Sequence, residues 1–93
     1  MKIWLDDHIE PFSDGWLIAR SIKVVKDALE RGLVTDLSLD NDLGPHTETG
    51  EDLVDWMVES GHWPTKSCFV HSANPVASEH MRYDIARHFK VKT

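Results

Sequence analysis

An α/β fold is what this sequence predicts: a small sheet of about four mostly parallel strands, covered by three helices. Three observations carry that reading. Short apolar runs of strand length alternate with longer segments whose apolar residues recur every three or four positions. Acidic loops follow two of the apolar runs, at Asp6-Asp7 and at Asp40-Asn41-Asp42. The length of 93 residues, 41% hydrophobic and with four tryptophans, suffices for one continuous core and one domain spanning 1–93.

Residues 2–5 (Lys-Ile-Trp-Leu) form the first strand, and residues 6–15, with Pro11, Ser13 and Asp14, form a polar loop. Residues 16–20 read as a second strand. Ser21 then caps a helix reaching Arg31, with Ile22, Val25 and Leu29 on one face and Gly32 as its stop. The third strand lies within residues 33–39. After a loop over residues 40–49, a helix from Gly50 or Glu51 to Ser60 buries Leu53, Trp56 and Met57 and ends at Gly61. The fourth strand covers residues 67–70 or 71. A last helix runs from about Pro75, a first-turn position, to Phe89, with Met81, Ile85 and Phe89 spaced by four. The order is therefore ββαβαβα, without repeat, linker or low-complexity segment. Its first connection has ten residues where a parallel crossover ordinarily uses a dozen or more, so an antiparallel first pair is the alternative to the expected parallel one.

Charge and cysteine content narrow the function. A net charge of −6 and a pI near 5.4 exclude an extended nucleic-acid surface, which needs many Lys and Arg contacts to phosphates. A small anionic ligand held through a metal is still allowed. Cys68, the only cysteine, lies in the apolar run Cys68-Phe69-Val70 and reads as packing. The start turns acidic at Asp6, too early for a signal peptide, and no stretch reaches membrane-spanning length, so a cytoplasmic protein with no membrane contact is expected.

In an open parallel sheet, residues just past the carboxyl ends of neighbouring strands line a crevice, and ligands bind there. Two acidic clusters at such ends point to a hard cation, Mg²⁺ or Mn²⁺, which prefers carboxylates, waters and phosphate oxygens. Asp6, Asp7 and Asp42 are the candidate ligands, with Asp40 the other third-strand acid. His71 follows the fourth strand and is the candidate general acid or base. Ser72 and Asn74 are candidate donors to phosphate oxygens or caps of the last helix, and His8 and His46 sit in the loops that would rim the crevice. His80, Asp84 and His88, spaced by four, read as a solvated helix face.

The segments Ile3-Trp4-Leu5-Asp6-Asp7, Leu37 through Gly44, Thr49-Gly50, His62-Trp63-Pro64 and Val70-His71-Ser72-Ala73-Asn74-Pro75 resemble the cyclic-phosphate processing receiver domains, a divergent branch of the response-regulator receiver fold. The resemblance spans nearly the whole chain, and the His-Ser-Ala-Asn-Pro element is its most specific part. It implies a reduced receiver/flavodoxin-like, three-layer fold, divalent-metal binding, and a role in handling cyclic phosphates on RNA ends or on small nucleotides. By position, Asp6 and Asp7 resemble the acidic metal pair and Ser72 the hydroxyl residue ending the fourth strand. Asp40 directly ends the third apolar run, whereas Asp42 lies eight residues before Gly50, as a receiver phosphoacceptor lies before its glycine. No fifth strand with the receiver's lysine is present, which disfavours a phosphoacceptor.

The expected activity is a metal-dependent phosphoesterase, with Asp6, Asp7 and Asp42 on the metal and His71, Asp40 and Ser72 as catalytic groups. A non-catalytic nucleotide- or protein-binding module, of a kind suited to phage–host conflict, and a degenerate phosphoacceptor receiver are the alternatives. Under the first reading Asp7, Asp40 or Asp42, and His71 converge to within roughly 10 Å.

Overall fold

The computed structural model describes residues 1–11, 13–45 and 48–91. Its strands are β1 (Lys2–Leu5), β2 (Trp16–Ala19), β3 (Asp36–Leu39) and β4 (Ser67–Val70), and its helices α1 (Ile22–Glu30), α2 (Gly50–Ser60) and α3 (Pro75–His88). The strand order is β2-β1-β3-β4, and every neighbouring pair is parallel. The ten-residue connection from β1 to β2 suffices for parallel pairing because four-residue strands need a return of only about 13 Å.

Alternation along the strands sends Ile3, Leu5, Ala19, Leu37 and Leu39 to one face, where they join Ile22, Val25, Leu29, Leu53, Val54, Met57, Ala77, Met81 and Ile85 in one buried cluster. The crossovers from β2 to β3 and from β3 to β4 run in the same direction across the sheet, and the common right hand of such units places α1 and α2 on the same face. Helix α3 packs on α2 and β4. All three helices thus share one layer. The receiver-like order is present in reduced form, and the third layer of the expected sandwich is missing among the described residues because the β1–β2 connection contains no helix.

The helix ends refine the sequence reading. Thr49 closes a capping box with Asp52 at the start of α2, and Gly61 ends the helix in the left-handed conformation at φ 76°. Ser21 occupies the N-cap of α1, but its side chain makes no cap hydrogen bond. Trp56 and Phe89 are only partly buried, and Phe69 is exposed. No helix among the described residues is long and apolar enough to cross a membrane.

Candidate metal centre

The parallel ladder continues one residue past the strand ends. The Asp6 N–H donates to Ala19, the Asp40 N–H to Leu5 and the His71 N–H to Leu39, at 3.0 to 3.1 Å. These bonds set Asp6, Asp40 and His71 side by side in one row. Asp6 is 1% exposed, and each of its oxygens is held. Its Oδ1 accepts from the N–H groups of His8 at 2.8 Å and Ile9 at 2.9 Å, and its Oδ2 lies 3.0 Å from His71 Nε2. Burial alone would raise the Asp6 pKa; the Ile9 and His8 N–H groups and the His71 ring outweigh it and hold the carboxyl below its ordinary value. Arg20 adds a cation nearby, donating to the Asp6 carbonyl at 2.9 Å.

His71 is clamped on three sides. Its Nδ1 lies 2.8 Å from Ser38 Oγ, and its ring stacks on Trp4 with centroids 3.8 Å apart and planes 8° from parallel. Trp4 is itself fixed by its indole N–H, which donates to the Ile9 carbonyl at 2.8 Å. Hydrogen-bond complementarity assigns the Nε2 hydrogen to the bond with ionised Asp6, with the Ser38 hydroxyl donating to Nδ1. Sequence reasoning missed Trp4 as a site residue, and it missed Ser38. The signal for Ser38 was parity: it stands two before Asp40 and so shares that residue's face, a small polar position in an apolar strand.

Asp6, Asp7 and Asp40 each offer a carboxylate oxygen within 4.8 Å of the other two. Asp42 stands apart from this group: it is exposed, and its Oδ1 accepts from Asn41 Nδ2 at 3.2 Å. The loop that delivers Asp40 is sewn to α2. The carbonyl of buried Asn41 accepts from the Gly50 N–H at 2.9 Å, and its Oδ1 accepts from the Glu51 N–H at 3.0 Å. Gly50 is required by this approach, since a Cβ there would sit 2.2 Å from the Asp40 carbonyl oxygen.

The remaining candidates fall elsewhere. Ser72 Oγ accepts from the Asn74 N–H at 3.1 Å, and Asn74 caps α3 by accepting from the Ala77 N–H at 3.1 Å. These two therefore build the turn into α3. His8 touches the centre through its backbone and is exposed, and His46 lies outside the described residues. On the helical layer His80 pairs with Glu51 at 3.3 Å, and Asp55 has its pKa raised by partial burial and by Asp84, Asp52, Glu51 and Glu59.

The family model described as the cyclic-phosphate processing receiver domain matches residues 1–87. The chain belongs to this family. The match takes in both acidic clusters, Ser38 and His71, so every residue of the centre lies in the cyclic-phosphate processing receiver domain itself. Comparison with curated proteins and with solved structures finds no match.

The donor set fits a hard divalent cation. Three carboxylates at this spacing repel one another by on the order of 3 kcal/mol per pair at an effective dielectric constant near 20, less where exposed Asp7 is involved. A cation taking oxygen ligands reverses that sign, and oxygen-only donors suit Mg²⁺ or Mn²⁺ over softer metals.

Proposed function

We propose that this receiver-like domain holds Mg²⁺ or Mn²⁺ on Asp6, Asp7 and Asp40 and processes a cyclic phosphate placed against that cation. The approach of the three carboxylates within 4.8 Å at the ends of β1 and β3 carries the reading. The family match supports a cyclic phosphate as the substrate class, and the reading extends it to a cyclic phosphate on an RNA end or a small nucleotide. When bound, the cation supplies positive charge for the phosphate oxygens and lowers the pKa of a coordinated water. The chain's own contribution is orientation. His8, Ile9 and His71 hold the Asp6 carboxylate ionised and fixed, and Trp4 and Ser38 hold His71. His71 acts here as a positioning residue, because both ring nitrogens are already engaged. In the hydrolysis, a water oxygen bonds to phosphorus, one P–O ester bond breaks, and the departing sugar oxygen ends with a proton from that water.

A second reading is favoured by the same engagement of His71. With neither of its nitrogens free for the leaving oxygen, the domain would bind a cyclic phosphate without turning it over.

Thermal unfolding in a Mg²⁺ and Mn²⁺ series, followed by product analysis on a 2′,3′-cyclic nucleotide, tests both. A cation at about 100 times its Kd stabilises the folded state by about 2.7 kcal/mol. The midpoint should rise for the wild type and for Asp42→Asn, and stay flat for Asp7→Asn and Asp40→Asn. A flat wild type rejects the metal centre. A metal-dependent shift with bound but uncleaved cyclic nucleotide selects the binding module.

A further inference from the structure

The face of the sheet opposite the helices carries a cross-strand row of side chains in which Trp4 and Ser38 hold His71 and Phe69 is left exposed. Register aligns Ile18 on β2, Trp4 on β1, Ser38 on β3 and Phe69 on β4 in one cross-strand row. The parity of the pleat turns this row away from Ile3, Leu5, Leu37 and Leu39, hence away from the core. Ile18 is 42% and Phe69 55% exposed. Described residues of the β1–β2 loop meet this face at β1 and β2, where Ile9 accepts from the Trp4 indole and Ser13 from the Trp16 indole. Over β3 the His71 ring meets buried Ser38, so among the described residues of this row Phe69 on β4 is the exposed aromatic.

Size decides what can occupy it. Four strands about 4.8 Å apart and four residues at about 3.3 Å each span roughly 250 Å² of sheet, well short of the ~800 Å² per partner of a stable protein interface. Two copies of a chain carrying −6 would also repel. The face fits a flat, small, apolar-sided group.

Position decides which. The row of Trp4, Ser38 and Phe69 lies two residues, about 7 Å, below the row of Asp6, Asp40 and His71 on the same face. With the strand spacing included, Phe69 on β4 stands roughly 8 Å from Asp40 and roughly 12 Å from Asp6 across the sheet, a span that a nucleotide lying between them covers from base to phosphate. We propose that Phe69, beside the Trp4–His71 stack, is the base platform of this domain. The ligand is then a nucleoside cyclic phosphate whose base stacks on Phe69 while its phosphate lies at the carboxylate centre. The assignment rests on the carboxylates marking the phosphate end. Stacking on an exposed aromatic is tolerant of base identity, so the platform selects nucleosides over base-free sugar phosphates without choosing among bases.

The test measures binding, in Mg²⁺, of adenosine 2′,3′-cyclic phosphate, of the methyl riboside 2′,3′-cyclic phosphate that lacks a base, and of adenosine. The wild type should prefer the first probe over the second by roughly 5- to 100-fold, the worth of one base–aromatic stack. Phe69→Ala should abolish that preference while leaving the base-free probe unchanged, and Phe69→Trp should restore it. Equal affinity of the two cyclic phosphates in the wild type, or equal weakening of both by Phe69→Ala, overturns the platform and leaves the metal reading standing. Adenosine binding that Phe69→Ala abolishes and Asp7→Asn spares keeps the platform even where the metal reading fails. Binding of none of the probes rejects both.

Discussion

Replacing Gly50 by Ala should destabilise the protein, although the same change in a helix ordinarily stabilises it by about 0.5–1 kcal/mol. Gly50 opens α2 without a positive φ, so no backbone strain opposes a side chain there. What opposes it is the loop ending in Asp40 and Asn41. An added Cβ lies 2.2 Å from the Asp40 carbonyl oxygen, 2.9 Å from Asn41 Cα and 3.0 Å from the Asp40 carbonyl carbon. All three are backbone atoms, so no side-chain rotation relieves the contact, and the loop must move away from the helix by about 1 Å. Overpacking of this kind costs about 1–3 kcal/mol. Displacement also strains the Gly50-to-Asn41 hydrogen bond, so the upper part of that range outweighs the helix gain and leaves a net loss of about 2 kcal/mol. For a domain of 93 residues this lowers Tm by roughly 8–16 °C, read by circular dichroism. Because the moving segment carries Asp40, the variant should also lose most of the Mg²⁺-induced rise in Tm. A Tm equal to or above that of the wild type would refute the close approach, and with it the claim that Gly50 positions the third carboxylate.

Three further outcomes are expected. Asp6 has a folded-state pKa below its unfolded one, so its stabilising effect is full above the unfolded value near 4 and is lost as pH falls through the lowered folded value; urea unfolding between pH 2 and 6 should show a shallower acid loss in Asp6→Asn, and Asp36, lowered chiefly by its bond from Ser67, should behave alike. Asp55 shifts the opposite way, its ionised form being disfavoured in the fold, so Asp55→Asn should raise stability at pH 7 and change nothing below the ordinary carboxyl range; a loss at pH 7 would contradict the repulsion from Asp84 and its neighbours. Burial pushes the Cys68 thiol up to about 12, leaving little thiolate at pH 8, and an aromatic disulfide reagent should modify the native protein far more slowly than the urea-unfolded chain.

The strand and helix order was legible in the chain because each element carries its own period and punctuation. The alternation of Ile3 and Leu5 with Trp4, the spacing of Ile22, Val25 and Leu29, and the stops at Gly32 and Gly61 are local facts, and local facts survive without tertiary context. That Asp6, Asp7 and His71 stand just past strand ends was legible for the same reason, since a strand end is a place a sequence marks. Three matters were decided only by the folded structure. Asp40 and Asp42 are two residues apart, and which of them stands beside Asp6 and Asp7 fell to the ladder bond from the Asp40 N–H to Leu5 and the docking of Asn41 on α2, contacts between segments distant in the chain. His71 carries a free-looking imidazole in the sequence. In the fold, Ser38 and Asp6, 33 and 65 residues away in the chain, take both nitrogens. The single helical layer follows from a ten-residue loop where a helix would have covered the second face. Periodicity fixes which way a residue points relative to its neighbours, and only the packing of one element on another fixes what it meets there.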